Sequence, residues 1–245
     1  MTMNARIMVL SGLLGFAAMA SATTWVETKI VDPINGKTCV VPTPGSSGSY
    51  IYHWPDKYDQ VFWPFTERNG IWVCRPSGFV AFIGDIELSA AEKAAIGAFL
   101  DNAGPLPKTA GLEVLLPRLE AIYALRKSEP DAKTRILRAL AYQYQSSGKQ
   151  AKANELRAQA AAIMEARLAD VTLDPALRLQ YLFVTANYAR ELGRDVESDA
   201  KLETLTLLLA DAAGDEKVEG YAQYLRDLIP SARKITPGGV LAPEE

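Results

Sequence analysis

Histidine is almost missing from this chain, with His53 the single one among 245 residues. Imidazole is the usual general base near neutral pH, so histidine-based catalysis has one candidate. His53 stands between Tyr52 and Trp54, where packing or exposure is the common fate of a histidine, and it is assigned no catalytic role. Cysteine is nearly as scarce. Cys39 and Cys74 are the only two, and they are not spaced as a Cys-x-x-Cys redox pair. A structural zinc site needs four ligands, mostly thiolate or imidazole; two cysteines and one histidine fall short, so no metal and no cofactor is expected. Neither a Gly-x-Ser-x-Gly elbow nor a Gly-x-x-x-x-Gly-Lys-Ser/Thr phosphate loop occurs. No apolar run after residue 22 reaches the ~20 residues of a membrane-spanning helix. An excess of basic charge is lacking too: 26 basic residues face 29 acidic ones, with no long run of either sign. That balance argues against a general nucleic-acid or anionic-membrane binder.

What is present begins with the first 22 residues. Arg6 precedes an almost unbroken apolar stretch from Ile7 to Ala20, and Ala18, Ala20 and Ala22 place small residues for a cut after Ala20 or Ala22. This is the pattern of a secretory signal peptide, and it predicts a mature chain in the periplasm or outside the cell. In such a place two cysteines pair by default, so a Cys39–Cys74 disulfide is expected, with free thiols or a metal as the alternatives. Cutting away Arg6 leaves 25 basic residues against the 29 acidic, a net charge of −4.

The mature chain divides by character. Residues 23–86 read as β-strands and turns. Thr38–Pro42, Ser49–Trp54 and Ile71–Cys74 are predicted strands, Asn69-Gly70 reads as a hairpin turn, and Gly45-Ser46-Ser47-Gly48 as a flexible one. All four tryptophans lie before residue 73, and so many aromatics in so short a module predict an aromatic core with some rings left at the surface. Residues 87–235 read as helices, with a capping box at Ser89–Glu92. Pro117 and Pro130 stand at expected helix starts, and Gly148 and Gly193 at expected stops. Residues 236–245 are expected to be a flexible tail.

The helical region carries a resemblance. Leu137, Leu140, Ala141, Tyr144, Gly148, Ala153 and Ala160 fall at the spacings of a tetratricopeptide repeat, although Glu165 stands where that repeat closes with proline. Ala186, Ala189 and Gly193 occupy matching places 45 residues on, where Ser198 and Leu205 replace the alanines. The fold class expected is therefore mostly α with a small N-terminal β module and tetratricopeptide-like hairpins, with an ordinary helical bundle as the alternative.

A second resemblance covers roughly residues 36–165. Ile71-Trp72-Val73-Cys74-Arg75-Pro76-Ser77-Gly78-Phe79-Val80-Ala81, leading to the Ser89 helix, is similar to an uncharacterised bacterial family of two zinc knuckles followed by tetratricopeptide-like helices. Ser77 and Pro42 stand where the second cysteine of each knuckle would be. The resemblance implies a knuckle scaffold in which a Cys39–Cys74 bridge has replaced the metal.

The function expected is non-catalytic: an exported protein that binds another envelope protein or a peptide. The helical concavity, the aromatic module or both would supply the surface, with Trp54, Tyr58, Trp63 and Trp72 as candidate contacts. One alternative is an aromatic-lined carbohydrate or cell-wall binding module. Another is a hydrolase using Asp56 and Asp59 as a carboxylate pair.

Overall fold

A computed structural model describes residues 24–46, 56–212 and 214–241. The signal segment, the predicted strand Ser49–Trp54 with His53, and residues 242–245 lie outside the described residues. The chain is mostly α with a small N-terminal β module.

Strand β1 (Thr24–Val31) pairs antiparallel with β2 (Thr38–Ser46), setting Ile30 opposite Cys39. Asp32 shapes the turn between them. Its carboxylate accepts the Ile34 N–H at 2.9 Å, and its backbone N–H donates to the Lys37 carbonyl at 2.8 Å. Along β2 the two-residue period puts Cys39 and Val41 in the core and Val40 outside. A single-turn helix α1 (Asp56–Asp59) follows, then β3 (Ile71–Cys74) and β4 (Phe79–Phe82), which form a second hairpin.

The hairpin turn expected at Asn69-Gly70 is not there. Arg68–Gly70 is a turn of 3-10 helix, and β3 pairs forward with β4 across residues 75–78. Gly70 serves a different purpose: a Cβ on it would lie 2.0 Å from the Pro64 carbonyl oxygen, so only glycine lets the two backbones approach. The positive φ of this turn belongs to Gly78, at +78°.

Seven longer helices follow: α2 (Ala90–Ala103), α3 (Leu112–Ala124), α4 (Pro130–Ser146), α5 (Gln150–Leu168), α6 (Pro175–Glu191), α7 (Asp195–Asp211) and α8 (Glu219–Ala232). The capping box forms as expected, with Ser89 Oγ accepting the Glu92 N–H and the Glu92 carboxylate accepting the Ser89 N–H at 2.8 Å. The Ser89 hydroxyl, donating to the Glu92 carboxylate at 2.7 Å, and then the backbone N–H groups of Ser89 and Lys127 hold that carboxyl down at about 2. Helix α3 corrects another expectation. It starts at Leu112, with Gly111 as N-cap, so Pro117 lies inside it rather than in its first turn. Leu115, Leu116, Leu119 and Ile122 are wholly buried on that helix, and this apolar face outweighs the one backbone hydrogen bond that proline forgoes.

Helices α4/α5 and α6/α7 are two antiparallel hairpins of matched design, 45 residues apart. Each opens with proline after an acidic N-cap, Glu129-Pro130 and Asp174-Pro175. Each turns on a left-handed glycine, Gly148 at φ +78° and Gly193 at φ +71°. The same closing bond recurs, from Lys149 N–H to the Tyr144 carbonyl and from Arg194 N–H to the Ala189 carbonyl, both 2.8 Å. Strands β5 (Ile235–Thr236) and β6 (Val240–Leu241) form a short hairpin where a flexible tail was expected. The Glu191 carbonyl accepts the Gly238 N–H at 2.8 Å and ties this hairpin to the end of α6. One continuous apolar core runs from Cys39 and Val41, through Phe79 and Phe82, to Leu225 and Ile235. The β module and the helices therefore share their interior.

Candidate functional site

Cys39 and Cys74 are joined by a disulfide that links β2 to β3, and both are buried. Asp32 stands beside them, with one carboxylate oxygen within 4.8 Å of both sulfurs. In the bridged state the sulfurs are spent on each other and are not thiolate ligands.

The aromatics separate into core and surface. Tyr58 is 1% exposed and stacks on Phe183 of α6, and Trp72 is 8% exposed with its indole N–H on the Pro42 carbonyl at 2.7 Å. Both are structural, which removes them from the candidate contacts: in so small a module the largest rings fill the interior first. Trp63 is only partly buried and lies 5.9 Å from Trp25, ring centre to ring centre. Trp54 lies outside the described residues. Phe65, which the sequence did not single out, is 38% exposed and meets Phe82 edge-on at 5.4 Å.

Of the expected carboxylate pair Asp56/Asp59, Asp59 lies inside the fold and not at an open surface. Asp59 is fully buried and binds Arg157 of α5 at 2.7 Å. Its surroundings are a polar island between helices: Arg157 also faces Glu191 at 3.6 Å and donates to Gln145. Burial raises the Asp59 carboxyl against the pull of Arg157. Burial also pushes Glu191 up to about 8, because Arg157 is shared and Asp59 repels it. Beside this island a small recess of about 180 Å³ is lined by Asn154, Arg157, Tyr188 and Glu191.

Polar side chains from the helices grip the end of α1 and the segment after it. Arg138 donates to the Asp59 and Gln60 carbonyls at 3.1 and 3.4 Å, Gln143 to the Phe65 carbonyl at 2.6 Å, and Asn187 to the Tyr58 carbonyl at 3.1 Å. Tyr221 donates to the Gln60 side chain at 3.0 Å. This irregular stretch lacks strand partners, so its carbonyls take side-chain donors instead. The visible signal in the sequence is polar residues, Arg138, Gln143 and Asn187, set among core positions of α4 and α6.

That grip leaves a cleft of about 760 Å³ between the module and the helices. One wall is aromatic, from Phe62, Trp63, Phe65 and Phe82. The other is helical, from Ala132, Arg135, Ile136 and Ala139 of α4, and the end of α3 with its following loop closes one side. Tyr123 pins the wall that holds β4: its hydroxyl accepts the Phe82 N–H at 3.1 Å and donates to Asp85 at 2.8 Å. Burial, then the Asp85 charge, raises that phenol far above its ordinary value. Arg126 braces the same edge through Asp85 at 2.8 Å and the Glu87 carbonyl at 3.0 Å.

Fold and site together define an α-helical hairpin protein with a disulfide-stapled β module and an open, aromatic-walled cleft. No family model, no curated protein and no solved structure matches the chain.

Proposed function

We propose that this is an exported, non-catalytic binding protein of the cell envelope that holds a segment of a partner protein in the cleft between its aromatic module and α4. The observation that carries the reading is the cleft itself, about 760 Å³ with an aromatic wall and a helical wall braced on both sides. Its size lies in the usual range for ligand sites, and rigid walls lower the entropic cost of binding. The disulfide and the leader-like first 22 residues support export. Among the described residues, no helix is long and apolar enough to cross a membrane. The paired hairpins are compatible with tetratricopeptide-like helices, and the module with a knuckle scaffold whose metal a disulfide has replaced.

Site-specific photo-crosslinking in the native host tests the reading. A crosslinker at Phe65 or Arg135, on the two walls, should capture one and the same protein. The control is Leu207 on α7, 70% exposed and outside the cleft lining. Capture of that protein equally from Leu207, or of none from either wall, would refute the cleft as the binding surface.

A further inference from the structure

The lining of the cleft is electrostatically one-sided. It carries four cations, Arg126, Lys127, Arg135 and Arg138, against two carboxylates, Asp85 and Glu129. Asp85 is already taken by Arg126. Lys127 and Arg135 are exposed and form no ion pair among the described residues, and of the two lining carboxylates Glu129 forms none either; just outside the lining, Glu92 accepts the Lys127 backbone N–H at 2.9 Å, and Asp131, bound to Arg167, lies within electrostatic reach of Arg135. Arg138 adds to the imbalance. It is 2% exposed, and its guanidinium bonds are to carbonyl oxygens and the Gln180 amide, with no carboxylate at bonding distance. Asp59 acts on Arg138 through space but spends its ion pair on Arg157, so the guanidinium is only partly compensated where it lines the cleft.

We propose that the occupant of the cleft is an acidic peptide segment of the partner, with large apolar side chains against Phe62, Trp63 and Phe65 and carboxylates directed at Lys127 and Arg135. This rests on the reading of the cleft as the binding site and adds the chemistry of what it takes. An oligosaccharide fits less well, because Val61, Ile83, Ile136, Ala132 and Ala139 offer no partners for its hydroxyls. A nucleic acid fits less well again, since two exposed cations on an acidic protein cannot follow a phosphate backbone. Charge matching of this kind sets specificity and encounter rate more than raw affinity.

The experiment uses the purified, oxidised protein and two fluorescein-labelled peptides of nine residues. Both alternate leucine or phenylalanine with a second residue, glutamate in one and glutamine in the other. By fluorescence anisotropy the glutamate peptide should bind about tenfold more tightly at low salt. The advantage should vanish near ~1 M salt, where the screening length is about 3 Å. Lys127→Glu and Arg135→Glu should each weaken the glutamate peptide by about three- to tenfold and leave the glutamine peptide unchanged. Ala132→Trp, which fills the cleft, should abolish binding of both; if that variant fails to fold, Phe65→Ala at an exposed position replaces it. Equal affinity for the two peptides, or charge reversals without effect, overturns the acidic-partner inference while the cleft reading stands. Binding of neither peptide, or binding that survives the cleft variants, overturns both. Displacement of the glutamate peptide by an oligogalacturonate at lower concentration would assign the cleft to acidic sugars and overturn the peptide class.

Discussion

Glu191 sits at the C-terminal end of α6, 7% exposed, with Arg157 3.6 Å away as its counter-charge. That guanidinium is already bound to Asp59 at 2.7 Å. Burial therefore raises the Glu191 carboxyl from 4.5 to about 8. The folded protein keeps a proton there that the unfolded chain releases, so the contribution to stability is full below 4.5 and is lost as pH rises through about 8. Glu191→Gln should flatten the melting temperature between about pH 5 and pH 9 and exceed the parent's stability at the alkaline end. Parallel curves for parent and variant would show that Glu191 titrates normally. Asp59→Asn tests the other side of the island. It leaves Arg157 to Glu191 alone and should destabilise by about 3–5 kcal/mol, with the remaining pH slope shallower because Glu191 gains an undivided partner. Sequence reasoning paired Asp59 with its neighbour Asp56. The partner that matters is 98 positions away on α5, and no local pattern marks a contact set by the packing of α1 against distant helices.

At the scale of elements, the two hairpins were the most legible part of the chain. Proline after an acidic residue and glycine at the turn each have a local cause and recur 45 residues later, whereas of the small inner-face residues Ala141 recurs as Ala186 while Leu205 stands in the place of Ala160. Tyr144 is the test. It is 6% exposed, and its hydroxyl donates to Glu120 of α3 at 2.9 Å. Burial, then that bond, raises its phenol above the ordinary range. Tyr142 is only partly buried on the same helix. Tyr144→Ala should cost about 3–5 kcal/mol in chemical denaturation and Tyr142→Ala clearly less. Equal, small losses would show that the hairpin groove does not depend on its aromatic. The β elements were less legible. Asn69-Gly70 has the composition of a hairpin turn, yet Gly70 is glycine because Pro64 crosses its backbone, and only the fold reveals that crossing.

On the scale of the whole molecule, the shared core predicts one cooperative unit. All four tryptophans precede residue 73, so indole fluorescence reports the module, while far-ultraviolet dichroism reports the helices. The two signals should follow the same transition in denaturant; separate midpoints would show that the module folds by itself. Reducing the Cys39–Cys74 bridge should lower that single midpoint, since a loop of 35 residues is freed in the unfolded chain, an effect of about 4 kcal/mol in the chain-entropy picture. Chelators should leave it unchanged, and a chelator-sensitive midpoint with free thiols would point to metal in place of the bridge. The sequence by itself determined the helices, their turns, the scarcity of catalytic residue types and the one possible cysteine pair, because periodicity, capping and residue counts are local or compositional. Only the tertiary structure decided which aromatics are buried, that Asp59 belongs to Arg157, and that the module and α4 face each other across a cationic cleft. Those outcomes depend on contacts between residues far apart in the chain, and the competition of side chains for one interior settles them only when the whole chain packs.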